Sequence, residues 1–94
     1  MNTPQTVRTI ATIVNKRGLH ARASAKFVET AARFQSEVTV TKGDTSVSGR
    51  SIMGLMMLGA SLGTAIELTA EGPDASSAVG ALTSLIAAKF HEDA

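Results

Sequence analysis

The side chains able to do covalent or anion-binding chemistry are concentrated in one short stretch, Gly18-Leu19-His20-Ala21-Arg22-Ala23-Ser24, preceded by Lys16 and Arg17. The chain has no cysteine, which excludes disulfides, thiolate metal sites and cysteine nucleophiles together. A helix is expected to begin at His20. First-turn N–H groups have no intrahelical acceptor, and the helix dipole adds partial positive charge there, so the position suits an anion. Arg22, in the same turn, can give charge-assisted hydrogen bonds to phosphate oxygens. A neutral imidazole has a free lone pair and can act as a nucleophile. A phosphoryl group on its nitrogen would meet helix N–H groups and the Arg22 guanidinium. The dipole contributes about 0.3–1 kcal/mol, enough to steady such a group without trapping it. A surface or capping histidine has the same local pattern, and spacing alone leaves both readings open. His91 reads as a solvated tail residue, and no carboxylate is expected at ligand spacing from His20. No metal and no cofactor are therefore expected.

The elements that must position His20 are legible in the residue pattern. Residues 1–5 read as a flexible extension, 6–91 as a single domain and 92–94 as a tail. Thr6 to Val14 is rich in β-branched residues and reads as a strand, broken by Asn15-Lys16-Arg17-Gly18. His20 to Phe34 carries alanines and Phe27 at helical spacing, with Glu29 and Arg33 four apart. Glu37 to Thr41 and Thr45 to Ser48 read as a hairpin turning at Gly43-Asp44. Ser51 precedes a short apolar helix that Gly59 can end. Ala65 to Ala70 reads as a fourth strand. Asp74 reads as the N-cap of a helix running to about Phe90, with Ala78, Val79, Leu82, Leu85, Ile86 and Phe90 on one stripe. The order β-α-β-β-α-β-α implies an α+β fold. Its form is a two-layer open-faced β-sandwich, with three helices on one face of a four-stranded antiparallel sheet. The other face should be solvated, which suits the many Thr and Ser in the strands.

Composition narrows the function classes. The 94 residues make one domain, with room for a modest core and a surface site. The formal net charge of +1 and the 3% aromatic content, all Phe, argue against a nucleic-acid-binding domain. The longest apolar stretch, Ile52 to Ala60, falls far short of the ~20 residues that span a bilayer. The beginning of the chain lacks the apolar core of a signal peptide. A cytoplasmic protein is expected, without membrane insertion. Charge is unevenly shared: residues 1–50 hold eight of nine Lys/Arg and three of eight Asp/Glu, whereas residues 51–94 hold one and five. The basic side, around Lys16, Arg17, Arg22 and Lys26, fits either a solvated face or docking of an acidic partner. Ser51 by itself reads as a cap contributing ~1 kcal/mol. The segment Ile52-Met53-Gly54-Leu55-Met56-Met57-Leu58 has more apolar residues than one narrow helix face can bury, with Leu55 and Leu58 expected in the core.

The string Gly18-Leu19-His20-Ala21-Arg22-Ala23-Ser24 resembles the first signature of the HPr family of the bacterial phosphoenolpyruvate-dependent phosphotransferase system. Ser51-Ile52-Met53-Gly54-Leu55-Met56-Met57-Leu58-Gly59 resembles the second, and Gly63-Thr64 and Ala70-Glu71-Gly72-Pro73-Asp74 match later elements. The resemblance spans about Val7 to Phe90. Ala23 departs from it, standing where the family usually has Pro, a residue that suits a first helical turn. The resemblance implies a phosphocarrier with no active site of its own. Enzyme I would phosphorylate Nδ1 of His20, and the phosphoryl group would pass to enzyme IIA proteins. Arg22 would assist the phosphate, and Ser51 would match the position modified by an HPr kinase/phosphorylase. Ile52, Met53 and Met56, with Arg17 and Lys26, would contact partners, and a monomer is expected. A non-phosphorylated binding module of the same fold, or a small anion- or nucleic-acid-binding domain, stands as the alternative.

Overall fold

The structure is a computed structural model and describes residues 5–92. The remainder of the expected extension and tail, residues 1–4 and 93–94, lies outside the described residues. Gln5 is not part of an extension; it opens the first strand. The elements run β1 (Gln5–Thr12), α1 (Ala21–Ala31), β2 (Glu37–Lys42), β3 (Thr45–Ser48), α2 (Ile52–Met57), β4 (Ala65–Gly72) and α3 (Ala75–Ala87). A short left-handed turn follows at Lys89–His91. The strands form one antiparallel sheet in the order β1-β4-β2-β3.

Alternation along the strands decides which side of the sheet is covered. Val38 and Val40 of β2 and Ile66, Leu68 and Ala70 of β4 point inward and are buried. Their neighbours Thr39, Thr41, Glu67 and Thr69 share the opposite, helix-free face. Phe27 of α1, Leu55 of α2, and Leu82, Leu85 and Ile86 of α3 close the core from the helix layer. Leu55 and Leu58 are buried, as their positions predict.

Several boundaries differ from the sequence reading: β2 and β4 run on to Lys42 and Gly72, and three other elements stop early. β1 stops at Thr12, because Ile13 exchanges backbone hydrogen bonds with Gly63 and Thr64 and not with a strand. α1 stops at Ala31, short of Phe34. α3 ends at Ala87, short of Phe90, and Phe90 reaches the core through the left-handed turn that follows.

Asp74 occupies the N-cap position of α3 but makes no side-chain bond to that helix. Its carboxylate instead accepts from the backbone N–H groups of Gln35 and Ser36, each at 2.9 Å, and from the Ser36 hydroxyl at 2.5 Å. Two backbone donors and a buried hydroxyl leading into β2 thus outcompete the single cap bond. These hydrogen bonds, that from the Ser36 hydroxyl foremost, hold the Asp74 carboxyl below its ordinary value.

Gly18 sets where α1 begins. Its backbone is left-handed, with φ of +64°, and a Cβ there would lie 2.3 Å from the Ala60 carbonyl oxygen. Next to it, the Leu19 N–H donates to that same oxygen at 2.9 Å. The chain before α1 is therefore pinned to the loop after α2 by an approach that only glycine permits.

Two measurements test these constraints. Gly18→Ala should lower stability by at least about 2 kcal/mol, a fall of roughly 10 °C in Tm, through left-handed strain and displacement of Ala60. Thermal melts read this directly. For Asp74, a depressed folded-state value means the contribution is complete above the ordinary carboxyl value of 3.8 and is lost as pH falls through the folded value. Wild type should therefore melt above Asp74→Asn at neutral pH. The gap should close as the pH drops below about 3.8.

Candidate functional site

The site is assembled from the two ends of the described chain. Asn15, three residues beyond β1, is buried, and its side-chain amide donates to the Gly18 carbonyl at 2.9 Å. That bond shapes the loop that Gly18 turns into α1. His20 is the N-cap of α1, with extended backbone (φ −76°, ψ −178°), and its carbonyl accepts the first helical bond from Ser24. The buried Ser24 hydroxyl donates to the Leu19 carbonyl at 3.2 Å, tying the first turn to the loop before it. Ala23 is fully buried in that turn and helical, so the departure from Pro leaves the helix start intact.

Both ring nitrogens of His20 are engaged. Nδ1 accepts from the Arg22 backbone N–H at 3.2 Å. Nε2 lies 2.5 Å from Glu92 Oε1. A backbone N–H can only donate and a carboxylate can only accept, so the neutral ring carries its proton on Nε2 and its lone pair on Nδ1. The lone pair points at the amino end of α1, whose first turn contains no acidic residue. Arg17, His20, Arg22 and Glu92 line one open pocket of about 150 Å³. The His20 side chain is 25% exposed and Glu92 9%, so the ring is reachable while the carboxylate behind it is covered. The arrangement is a nucleophilic imidazole nitrogen facing a positive helix end, between two guanidinium-bearing residues.

The sequence reading expected no carboxylate beside His20 and placed Glu92 in a tail. The structure corrects both points. Glu92 also accepts from the Asn15 amide, at 3.2 and 3.4 Å to its two oxygens. Burial pushes its carboxyl up. The hydrogen bonds from His20 and Asn15 and the nearby positive charge of Arg17 outweigh burial and leave it below the ordinary range.

Glu92 reaches His20 because Lys89, Phe90 and His91 all adopt left-handed backbone, with φ of 56°, 55° and 59°. Left-handed geometry in three non-glycine residues costs about 1–2 kcal/mol each. Phe90 is fully buried, which returns about 1.5–3 kcal/mol. The Lys26 ammonium donates to the Phe90 carbonyl at 2.6 Å, a charged hydrogen bond of about 1.5–3 kcal/mol. Lys26 is thus committed to holding the turn and does not line the pocket around His20. His91 is exposed, as expected.

Ser51 caps α2 as its position predicts, its hydroxyl accepting from the Gly54 N–H at 2.9 Å. Gly59, at φ +65°, follows the end of that helix. Ile52, Met53 and Met56 are exposed, and Met57 and Leu62 extend the apolar surface beyond what the sequence reading assigned to it. The loop after α2 is hydrogen-bonded through Ala60 to Leu19, the residue before His20. Among the described residues no cluster of ligating side chains fits a metal ion, and no helix is long and apolar enough to cross a membrane.

Comparison with known proteins shows the family. A family model described as the PTS HPr component phosphorylation site matches residues 7–88. The phosphocarrier protein HPr of Neisseria meningitidis serogroup A is 60% identical over 80 residues, covering 85% of this chain and 90% of that protein. Phosphocarrier protein HPr of Cupriavidus necator is 48% identical over 81 residues, 86% of this chain and 91% of that one. The crystal structure of HPr-C-His from Thermoanaerobacter tengcongensis superposes with a TM-score of 0.89 at 45% identity, covering 94% of this chain and 99% of that one. The chain belongs to the HPr family, the phosphocarrier proteins of the phosphotransferase system, which relay phosphoryl groups and are not themselves catalysts.

Proposed function

We propose that His20 accepts a phosphoryl group on Nδ1 from phosphorylated enzyme I and passes it to enzyme IIA proteins. The observation that carries this reading is the orientation of the His20 ring, whose unprotonated nitrogen faces the amino end of α1. In the transfer, the Nδ1 lone pair forms a bond to phosphorus. The bond from phosphorus to the donor breaks, and its electron pair stays with the donor. The Arg22 N–H, released from Nδ1, turns to a phosphoryl oxygen, as an unpaired first-turn donor does. Arg17 and Arg22 supply positive charge around the pocket. No side chain of the site is needed as a general acid, because neither making nor breaking the N–P bond moves a ring proton. The proposed acting form is a monomer in the cytoplasm.

Docking is assigned to the exposed apolar residues of α2, Ile52, Met53 and Met56, with Arg17 beside the pocket. Unbranched Met side chains adapt to more than one partner surface. Ser51 lies at the edge of this surface and is the proposed target of an HPr kinase/phosphorylase. A phosphate there adds about −1.5 to −2 charges. The start of α2 tolerates it, but an acidic partner facing the basic half of the protein would be repelled.

Two experiments follow. In labelling with phosphoenolpyruvate and enzyme I, His20→Ala should take up no label while keeping its fold. Arg22→Ala should still be labelled, at a rate lower by about tenfold, the loss of one charge-assisted contact. Full labelling of His20→Ala would assign the acceptor elsewhere. For Ser51→Asp, the initial rate of His20 phosphorylation should fall several-fold at low salt with little change in Tm. The deficit should shrink as salt rises, because exposed charges are screened beyond ~8–10 Å. Equal rates at low salt would leave Ser51 as a cap alone.

A further inference from the structure

Among the described residues, Glu92 is the acidic group at the His20 ring, and its carboxylate stands on the nitrogen that the proposed transfer does not use. We propose that Glu92 is a positioning residue that selects the Nε2–H form of His20, so that Nδ1 is the attacking nitrogen, and that compensates the positive charge the ring acquires on transfer. This rests on the reading of His20 as the phosphoryl acceptor.

The first half of the proposal follows from donor and acceptor counting. A free neutral imidazole places its proton on either nitrogen. Glu92 can only accept, so its oxygen 2.5 Å from Nε2 requires a proton there. The Arg22 N–H, 3.2 Å from Nδ1, requires a lone pair at that nitrogen. The two contacts agree, and the longer one is surrendered when phosphorus arrives. The second half follows from atom balance. When the Nδ1 lone pair forms the N–P bond and Nε2 keeps its proton, the ring becomes an imidazolium. Its positive charge then sits against a carboxylate that is 9% exposed, where attraction is less screened than at the surface.

The geometry also says why a carboxylate is needed and an amide would fail. Asn15 donates to both oxygens of Glu92. With Gln at this position, the amide oxygen would turn toward the Asn15 donor and the NH2 toward Nε2. Nε2 would then have to accept, which moves the ring proton to Nδ1 and sets it against the Arg22 N–H. The strained Lys89–His91 turn, anchored by Phe90 and Lys26, is the device that brings the carboxylate into place.

The test pairs a spectroscopic readout with a kinetic one on the full chain, using Glu92→Gln. Ring 15N shifts of His20, recorded in alkaline buffer with no partner present, should show the Nε2–H pattern in wild type. In Glu92→Gln they should show a mixed or Nδ1–H pattern. The initial rate of transfer from phosphorylated enzyme I should fall about tenfold or more in the variant, with the backbone spectrum preserved. Glu92→Ala, in which water can take either role, should give a mixed ring pattern and an intermediate rate. An unchanged Nε2–H pattern in Glu92→Gln would overturn the proposal, and so would an unchanged transfer rate. Failure of wild type to become labelled on His20 would instead overturn the acceptor reading. The partner-free ring spectrum would still decide whether Glu92 sets the proton.

Discussion

His20 is held at both ring nitrogens, and the two holds come from opposite ends of the chain. On one side a backbone N–H of the first turn of α1 meets Nδ1; on the other a carboxylate 72 residues away in sequence meets Nε2. The first hold exists only if α1 starts at Ala21 with His20 as its cap. That start depends on the left-handed Gly18, on the Asn15 amide, and on the Leu19 bond to Ala60. The second exists only if the chain reverses after α3. The buried core of sheet and helices is the rigid frame that keeps these two short segments in register.

Tightness and openness are divided between the two faces of the ring. The carboxylate side is covered, with Asn15 beneath it and the Phe90 turn beside it, and this fixes the orientation of the imidazole. The Nδ1 side opens into a shallow pocket bordered by Arg17 and Arg22, which suits a group that must be both received and surrendered. Strong enclosure of the phosphoryl group would oppose release. A helix end and two exposed guanidiniums would stabilise such a group only modestly, because charges in contact with water interact weakly. The strain in three left-handed residues is tolerated because Phe90 burial and the Lys26 bond offset it, and its result is delivered at the site.

The surface around the site is consistent with a protein that works by contact. α2 is short and leaves Met53 and Met57 72% and 80% exposed. Its carboxyl end is covered by the Lys42 ammonium, which donates to the Leu58 and Gly59 carbonyls at 3.1 and 3.4 Å. A helix so capped at both ends, by Ser51 and by Lys42, presents its apolar side chains on a well-defined base. The free face of the sheet, by contrast, carries Thr and Glu side chains through its central strands, with Ile10 exposed on the edge strand β1.

The sequence by itself determined what depends on neighbours in the chain. Alternation in Glu37-Val38-Thr39-Val40, helical spacing around Phe27 and Leu82, Gly18 before His20 and Ser51 before an apolar run each follow from local backbone chemistry. These features were enough to place the strands, the helices, the imidazole at a helix start and its companion Arg22. Tertiary structure decided what depends on residues far apart. Asp74 has the residue type and position of a helix cap, yet its carboxylate crosses to donors 38 and 39 positions away. Asn15 reads as a strand breaker, yet it is a buried donor that supports the site. Lys26 reads as one of a basic cluster, yet it anchors the carboxyl-end turn. Glu92 reads as part of a tail because no local pattern marks it. Lys-Phe-His has no glycine to announce left-handed backbone, and the burial of Phe90 in a core built by the whole chain, with the Lys26 bond to its carbonyl, offsets the strain of that geometry. The proton position on His20 is therefore a tertiary property, set where the two ends of the fold meet.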